Sequence, residues 1–190
     1  DNVRTKLFEW PAYGSPIRDW KIIGPFDNKE NKQFDTVYPP EKEIDFKAEY
    51  DGASNQKVKW QNHELGYKAI SKIDNLSGID FTRLYDPNTW VCAYALVYVK
   101  SPDTRKVNFL VGSDDGIKIW LNDTMVHALD MKRAPVPDQD KVEGVTLNKG
   151  WNKVLVKITQ AEWGWSLYFR ITNNDGVDLH DLTYSSDTQK

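Results

Sequence analysis

Cysteine is nearly missing from this chain: Cys92 stands alone among 190 residues. No intrachain disulfide can form, so redox chemistry does not fix the compartment. Cys92 lies in the apolar run Val91-Cys92-Ala93 and reads as a small buried hydrophobe. There is no long basic run and the net charge is -3, which argues against a nucleic-acid footprint. No apolar stretch approaches the ~20 residues that span a bilayer, so membrane insertion is not expected. Nor does the start of the sequence read as a signal peptide. The abrupt start at Asp1 and the polar end at residues 185–190 suit a mature chain or a piece of a larger one. The histidines His63, His127 and His180 are far apart and have no motif partner. Zinc-protease spacing, a Gly-x-Ser-x-Gly elbow and a phosphate loop are all missing. A glycosidase pair of acids works by its separation in space, which a sequence does not report. The expectation is a non-enzyme, with a small β-sandwich polysaccharide-degrading enzyme ranked last.

Aromatic residues, in contrast, are plentiful: 8 Trp, 9 Tyr and 7 Phe. They favour half-buried strands and contact surfaces. The second half of the chain alternates with a period of two. From Val91 to Val99 the odd positions are small or β-branched, and the even positions carry Tyr94, Leu96 and Tyr98, which predicts a central strand apolar on both faces. Val107, Phe109 and Val111 mark the next strand, and Gly112-Ser113-Asp114-Asp115-Gly116 reads as a tight hairpin before Ile117, Ile119 and Leu121. A Pro-containing loop from Met131 to Asp140 precedes a short strand over Val142–Leu147. Val154, Val156 and Ile158 form another strand, whose tip, Gln160 to Trp165, leads to Leu167, Phe169 and Ile171. The first half holds a strand over Asp19–Phe26, a long polar loop from Asn28 to Glu43, a short strand over Lys57–Gln61 and a candidate strand over Ala69–Ile73. Strands of this length without helical periodicity predict an all-β fold, an antiparallel β-sandwich. Residues 1–190 read as one domain with an elaborated, loop-rich half over 1–90.

Three segments taken together resemble a family: Trp20-Lys21-Ile22-Ile23-Gly24-Pro25-Phe26, residues 112–122 (Gly-Ser-Asp-Asp-Gly-Ile-Lys-Ile-Trp-Leu-Asn) and residues 147–157 (Leu-Asn-Lys-Gly-Trp-Asn-Lys-Val-Leu-Val-Lys). They are similar to the galactose-binding-like jelly-roll modules of bacterial secreted hydrolases and surface proteins. The Ser-Asp-Asp-Gly turn also resembles that of PA14-type sandwiches. The likeness runs from about Trp20 to Ile171. It implies a jelly roll that binds a polysaccharide or other glycan, sometimes with a structural calcium, beside neighbouring domains of an extracellular, cell-surface or periplasmic protein. Fold alone does not fix function, and a structural or protein-interaction module without its own glycan is the alternative.

Candidate site residues follow from chemistry. Trp163 and Trp165 flank Gly164 at a strand entrance, where an indole face can stack on a sugar ring; folding back to close the sandwich end is the other reading. Arg133 offers a planar fork of donors for sugar hydroxyls or a uronate, and Asp138 lies in the same loop. Asp114, Asp115 and Asp140 are hard oxygen donors that suit calcium. Asp-Asp-Gly also makes a turn without any metal, and that simpler reading ranks first. Trp20, Trp90, Trp120 and Trp151 read as packing.

Overall fold

The computed structural model describes residues 15–65 and 78–187. The candidate strand at Ala69–Ile73 lies outside the described residues. In chain order the strands are β1 (Asp19–Asp27), β2 (Glu49–Asp51), β3 (Lys57–Lys59), β4 (Gln61–Glu64), β5 (Gly78–Asp80), β6 (Val91–Ser101), β7 (Arg105–Asp114), β8 (Ile117–Leu121), β9 (Thr124–Leu129), β10 (Asp140–Leu147), β11 (Gly150–Gln160), β12 (Ser166–Thr172) and β13 (Thr183–Ser185). They form an antiparallel β-sandwich. The larger sheet runs β4-β1-β6-β11-β8-β9, with β13 also pairing with β6; the smaller runs β10-β7-β12-β5; β2 and β3 form a separate ribbon. Among the described residues no helix is long and apolar enough to cross a membrane.

The two apolar faces of β6 serve two cores. Val91, Ala93, Ala95, Val97 and Val99 face the space between the sheets, where they meet Phe109, Val111, Ile119, Val156, Leu167 and Phe169. Cys92, Tyr94 and Leu96 face outward and join a second cluster with Ile23, Phe26, Val58, Trp60 and Leu155. Tyr38, Ile44, Phe46 and Tyr50 close that cluster from above. Residues 28–60 of the loop-rich first half therefore form a cover over the outer face of the larger sheet. Lys157 pins it down. Its side chain is buried, and its ammonium donates to the carbonyl oxygens of Gln33 at 3.2 Å, Phe34 at 3.0 Å and Thr36 at 2.6 Å. It also pairs with the Glu41 carboxylate at 3.2 Å, which accepts from the Tyr94 hydroxyl as well. Glu41 sits on a single helical turn, Pro39–Lys42, inside the segment expected to be all loop.

One expectation needs correction. The turn at 112–116 is not a hairpin, because β7 belongs to the smaller sheet and β8 to the larger. Alternation tells which face of a strand is buried, not which strand lies beside it. Here β7 pairs with β10 and β12, while β8 pairs with β11 and β9. The segment from Ala161 to Trp165 likewise crosses from the larger sheet to the smaller.

These crossings share one end of the sandwich. Gln160 at the end of β11 pairs with Val91 at the start of β6, which pairs with Asp27 at the end of β1. In the same sheet Ile158 pairs with Ile117, and Ile117 with Leu129. In the smaller sheet Ser166 pairs with both Asp114 and Asp80, and Asp140 with Val111. The segments 28–48, 81–90, 115–116, 130–139 and 161–165 all leave the sheets there.

Candidate functional site

A pocket of about 400 Å³ opens at this end, lined by Asp114, Asp115, Lys132, Arg133, Ala161 and Trp163, with Ala134 and Glu162 completing it. Asp115 organises it. One carboxylate oxygen, Oδ1, accepts the Arg133 backbone N–H at 2.9 Å, and Oδ2 accepts that of Ala161 at 2.8 Å. A single side chain thus ties the loops 130–139 and 161–165 to the crossing at 115–116. The Asp115 backbone N–H donates to Thr159 O at 2.8 Å, which holds the crossing on β11. The peptide bond between Asp114 and Asp115 is cis.

Asp114 has a different environment. Burial, followed by the negative charge of Asp115 and a hydrogen bond with it, pushes the Asp114 carboxyl up to about 7. Gly164 passes directly over it: a Cβ at that position would lie 2.7 Å from Asp114 Oδ2. A side chain at that position would displace the Asp114 carboxyl.

Trp163 stands on the lip of the pocket with 87% of its surface exposed and φ at 78°. Its position matches the expectation of an accessible indole in this loop. Trp165 does not. It is 1% exposed and packs at ring-centroid distances of 5.1 Å from Phe81 and 5.8 Å from Tyr85. The expectation of a sugar-stacking Trp165 is corrected: it is a core residue that closes the sandwich end. β12 starts at Ser166, and the chain turns inward at Trp165, leaving Trp163 outside.

Arg133 lines the pocket but its guanidinium is already used. Nε donates to Ser113 O at 3.2 Å, Nη2 to Ser113 Oγ at 2.8 Å, and Nη1 to Asp140 Oδ1 at 2.8 Å, with a second bond from Nη2 to Asp140 Oδ2. Arg133 therefore anchors the 130–139 loop instead of offering a free fork to ligand. The same pair corrects the placement of Asp140 as a metal ligand: its carboxylate is engaged by the Arg133 guanidinium, which holds it below the usual carboxylate range, and it does not line the pocket. Asp138 is not brought to the pocket either. Its carboxylate accepts from Arg170 Nε at 2.8 Å and Nη2 at 2.6 Å, on the smaller sheet.

Calcium takes roughly six to eight oxygens. Asp114 and Asp115 are donors of the right kind, and their mutual repulsion is what a divalent cation would relieve. They are short in number: among the described residues no group of three or more His, Cys, Asp or Glu side chains converges on a metal position. The remaining ligands would have to be backbone carbonyls, water or ligand hydroxyls.

Two residues of this region escape a sequence reading. Trp90 is half-buried, not core, with φ at 56°, and the Lys132 ammonium sits 5.0 Å above its ring centroid. Lys132 and Trp90 are 42 positions apart, and no local pattern joins them.

No protein-family model matches the chain, and no curated protein sequence does. Among solved structures it is similar to the PA14 domain of the MpAFP antifreeze protein, at 16% identity and a TM-score of 0.41 over 52% of this chain and 55% of that one. The present chain thus spans about half of that domain. It is also similar to the epithelial adhesin 9 A domain from Candida glabrata in complex with Galb1-4GlcNAc, at 12% identity and a TM-score of 0.43 over 92% of this chain and 97% of that one. Likenesses this distant carry no functional weight.

Proposed function

We propose that this chain is a non-catalytic carbohydrate-binding module of a larger secreted or cell-surface protein, and that it takes the end of a glycan into the pocket between Asp114 and Trp163. The observation that carries the reading is Trp163. A bulky residue in the left-handed region is a backbone outlier, and an indole in water gains nothing from burial. Neither local conformation nor packing accounts for Trp163, whereas a sugar ring stacking its C–H face on the indole does. The carboxylate of Asp114 lies below and accepts bonds from sugar hydroxyls. Calcium, where bound, would be held by Asp114 and Asp115 and would supply positive charge to those hydroxyls.

Glycosidases need two carboxyl groups flanking the scissile bond, roughly 5–9.5 Å apart. Asp114 and Asp115 are chain neighbours, and both oxygens of Asp115 are tied to backbone N–H groups. That supports binding without turnover. Affinity per site is expected to be weak, because each sugar hydroxyl gives up water to bind.

The test is retention on a panel of polysaccharides and a glycan array, run with calcium and repeated with chelator. Trp163→Ala should lose retention while its melting temperature stays that of the parent. Full retention by Trp163→Ala, or no glycan retained in either condition, would overturn the reading and favour a module that packs on a protein partner.

A further inference from the structure

A second pocket of about 250 Å³ adjoins the first, lined in part by Asp27, Lys29, Pro87, Thr89 and Trp90. Two contacts join their linings. The Trp90 backbone N–H donates to Ala161 O at 2.8 Å, and Ala161 lines the first pocket. Lys132, which also lines the first pocket, lies over the Trp90 ring. Both pockets carry acids and bases. The first holds the acids Asp114, Asp115 and Glu162, while the Arg133 guanidinium is consumed by Asp140. At the junction stands the exposed ammonium of Lys132, for which no carboxylate lies within ion-pair distance among the described residues. The second pocket sets Lys29 beside the exposed Asp27 carboxylate and Glu30, of which Glu30 is already paired with Lys32.

Building on the glycan-binding reading, we infer that the surface extends from Asp114 to Trp90 and takes an oligosaccharide of alternating neutral and acidic units, with a neutral sugar over Asp114 and a uronate or sulfated unit at Lys132. Without calcium, a carboxylate or sulfate on the first unit would meet the negative charges of Asp115 and Glu162 and be disfavoured. On the second unit it meets an ammonium instead. A neutral second unit would have to push Lys132 off the Trp90 face and give up the cation–π contact. An acidic unit draws the ammonium to its own charge and frees the indole for stacking. Selection thus arises both from the attraction at Lys132 and from the repulsion in the first pocket.

Hyaluronan and unsulfated chondroitin oligosaccharides alternate an N-acetylhexosamine with a uronate, and their carboxyl-reduced derivatives keep the same linkage without the charge. Binding of both sets to the whole chain should differ by about tenfold or more in favour of the native sugars at low salt, and the difference should shrink as salt rises. Lys132→Ala, at an exposed loop position, should erase the difference. Trp90→Phe should keep most of the binding and Trp90→Ala lose it; Lys132→Ala remains decisive should Trp90→Ala fail to fold. Equal binding of native and carboxyl-reduced sugars, a preference that survives Lys132→Ala, or Trp163-dependent retention of neutral glycans only would overturn this inference and leave the proposed function standing. Retention of no glycan of any kind would overturn both.

Discussion

Holding an indole in solvent on a left-handed backbone costs free energy twice, once in exposed apolar surface and once in conformation, about 1–2 kcal/mol for the latter. Trp163→Gly should therefore leave stability unchanged or raise it by up to about 1 kcal/mol in urea unfolding, while abolishing glycan retention. Loss of stability would mean that Trp163 packs in a way its exposure does not show. Two positions on, Trp165→Ala should cost about 3–5 kcal/mol, because it empties a site framed by Phe81 and Tyr85. Asp114 is the titrating member of the site. Its folded-state value of about 7 lies above the ordinary 3.8. Between those limits the folded chain keeps a proton that the unfolded chain has released, so this group's contribution to stability falls as pH rises and is fully lost above about pH 7. In chelator, Asp114→Asn should melt close to the parent near pH 4 and clearly above it near pH 8. Equal melting temperatures at the higher pH would show that Asp115 and burial do not disfavour the Asp114 charge.

At the scale of elements, the site is made where chain segments cross between sheets, and each segment is fastened by a named polar contact. Arg133 fastens 130–139. Arg133→Ala leaves Asp140 and Ser113 without their partner, and each lost charged hydrogen bond is worth about 1.5–3 kcal/mol. It should lower stability and weaken glycan retention together, since Lys132 and Ala134 move with the loop; unchanged retention would separate the loop from the site. Lys157 fastens 33–41 over the second core. Lys157→Ala leaves the buried Glu41 carboxylate unpaired and should cost about 3–5 kcal/mol. Limited proteolysis should then cut within residues 28–48, and protection there equal to the parent's would contradict the pin. The strands themselves were legible because alternation reports burial directly: the two-faced apolarity of residues 91–99 marks β6 as central, and its second face marks a second core. The hairpin read at 112–116 failed because strand partners are chosen by long-range register. The site was legible in part for the same reason. Asp114, Asp115 and Trp163 share a pocket, but the ion pairs that withdraw Asp138 and Asp140 join residues 32 and 7 positions apart by chain turns that no motif announces. Nothing in Trp163-Gly164-Trp165 says which indole turns inward.

For the whole molecule, the sandwich supplies a rigid end and the loops supply the chemistry, a division that lets specificity change without changing the fold. A layer of cover on the larger sheet, two cores and one loop-built end leave Trp163 as the large apolar side chain with the greatest exposure among the described residues. The most direct measurement is retention of the chain and of Trp163→Ala on a polysaccharide panel, with calcium and with chelator, alongside thermal melts of both proteins. The account predicts that the chain is retarded on at least one polysaccharide and that Trp163→Ala is not, at equal melting temperatures. Retention that survives Trp163→Ala, or a chain retarded by no glycan in either condition, would contradict it.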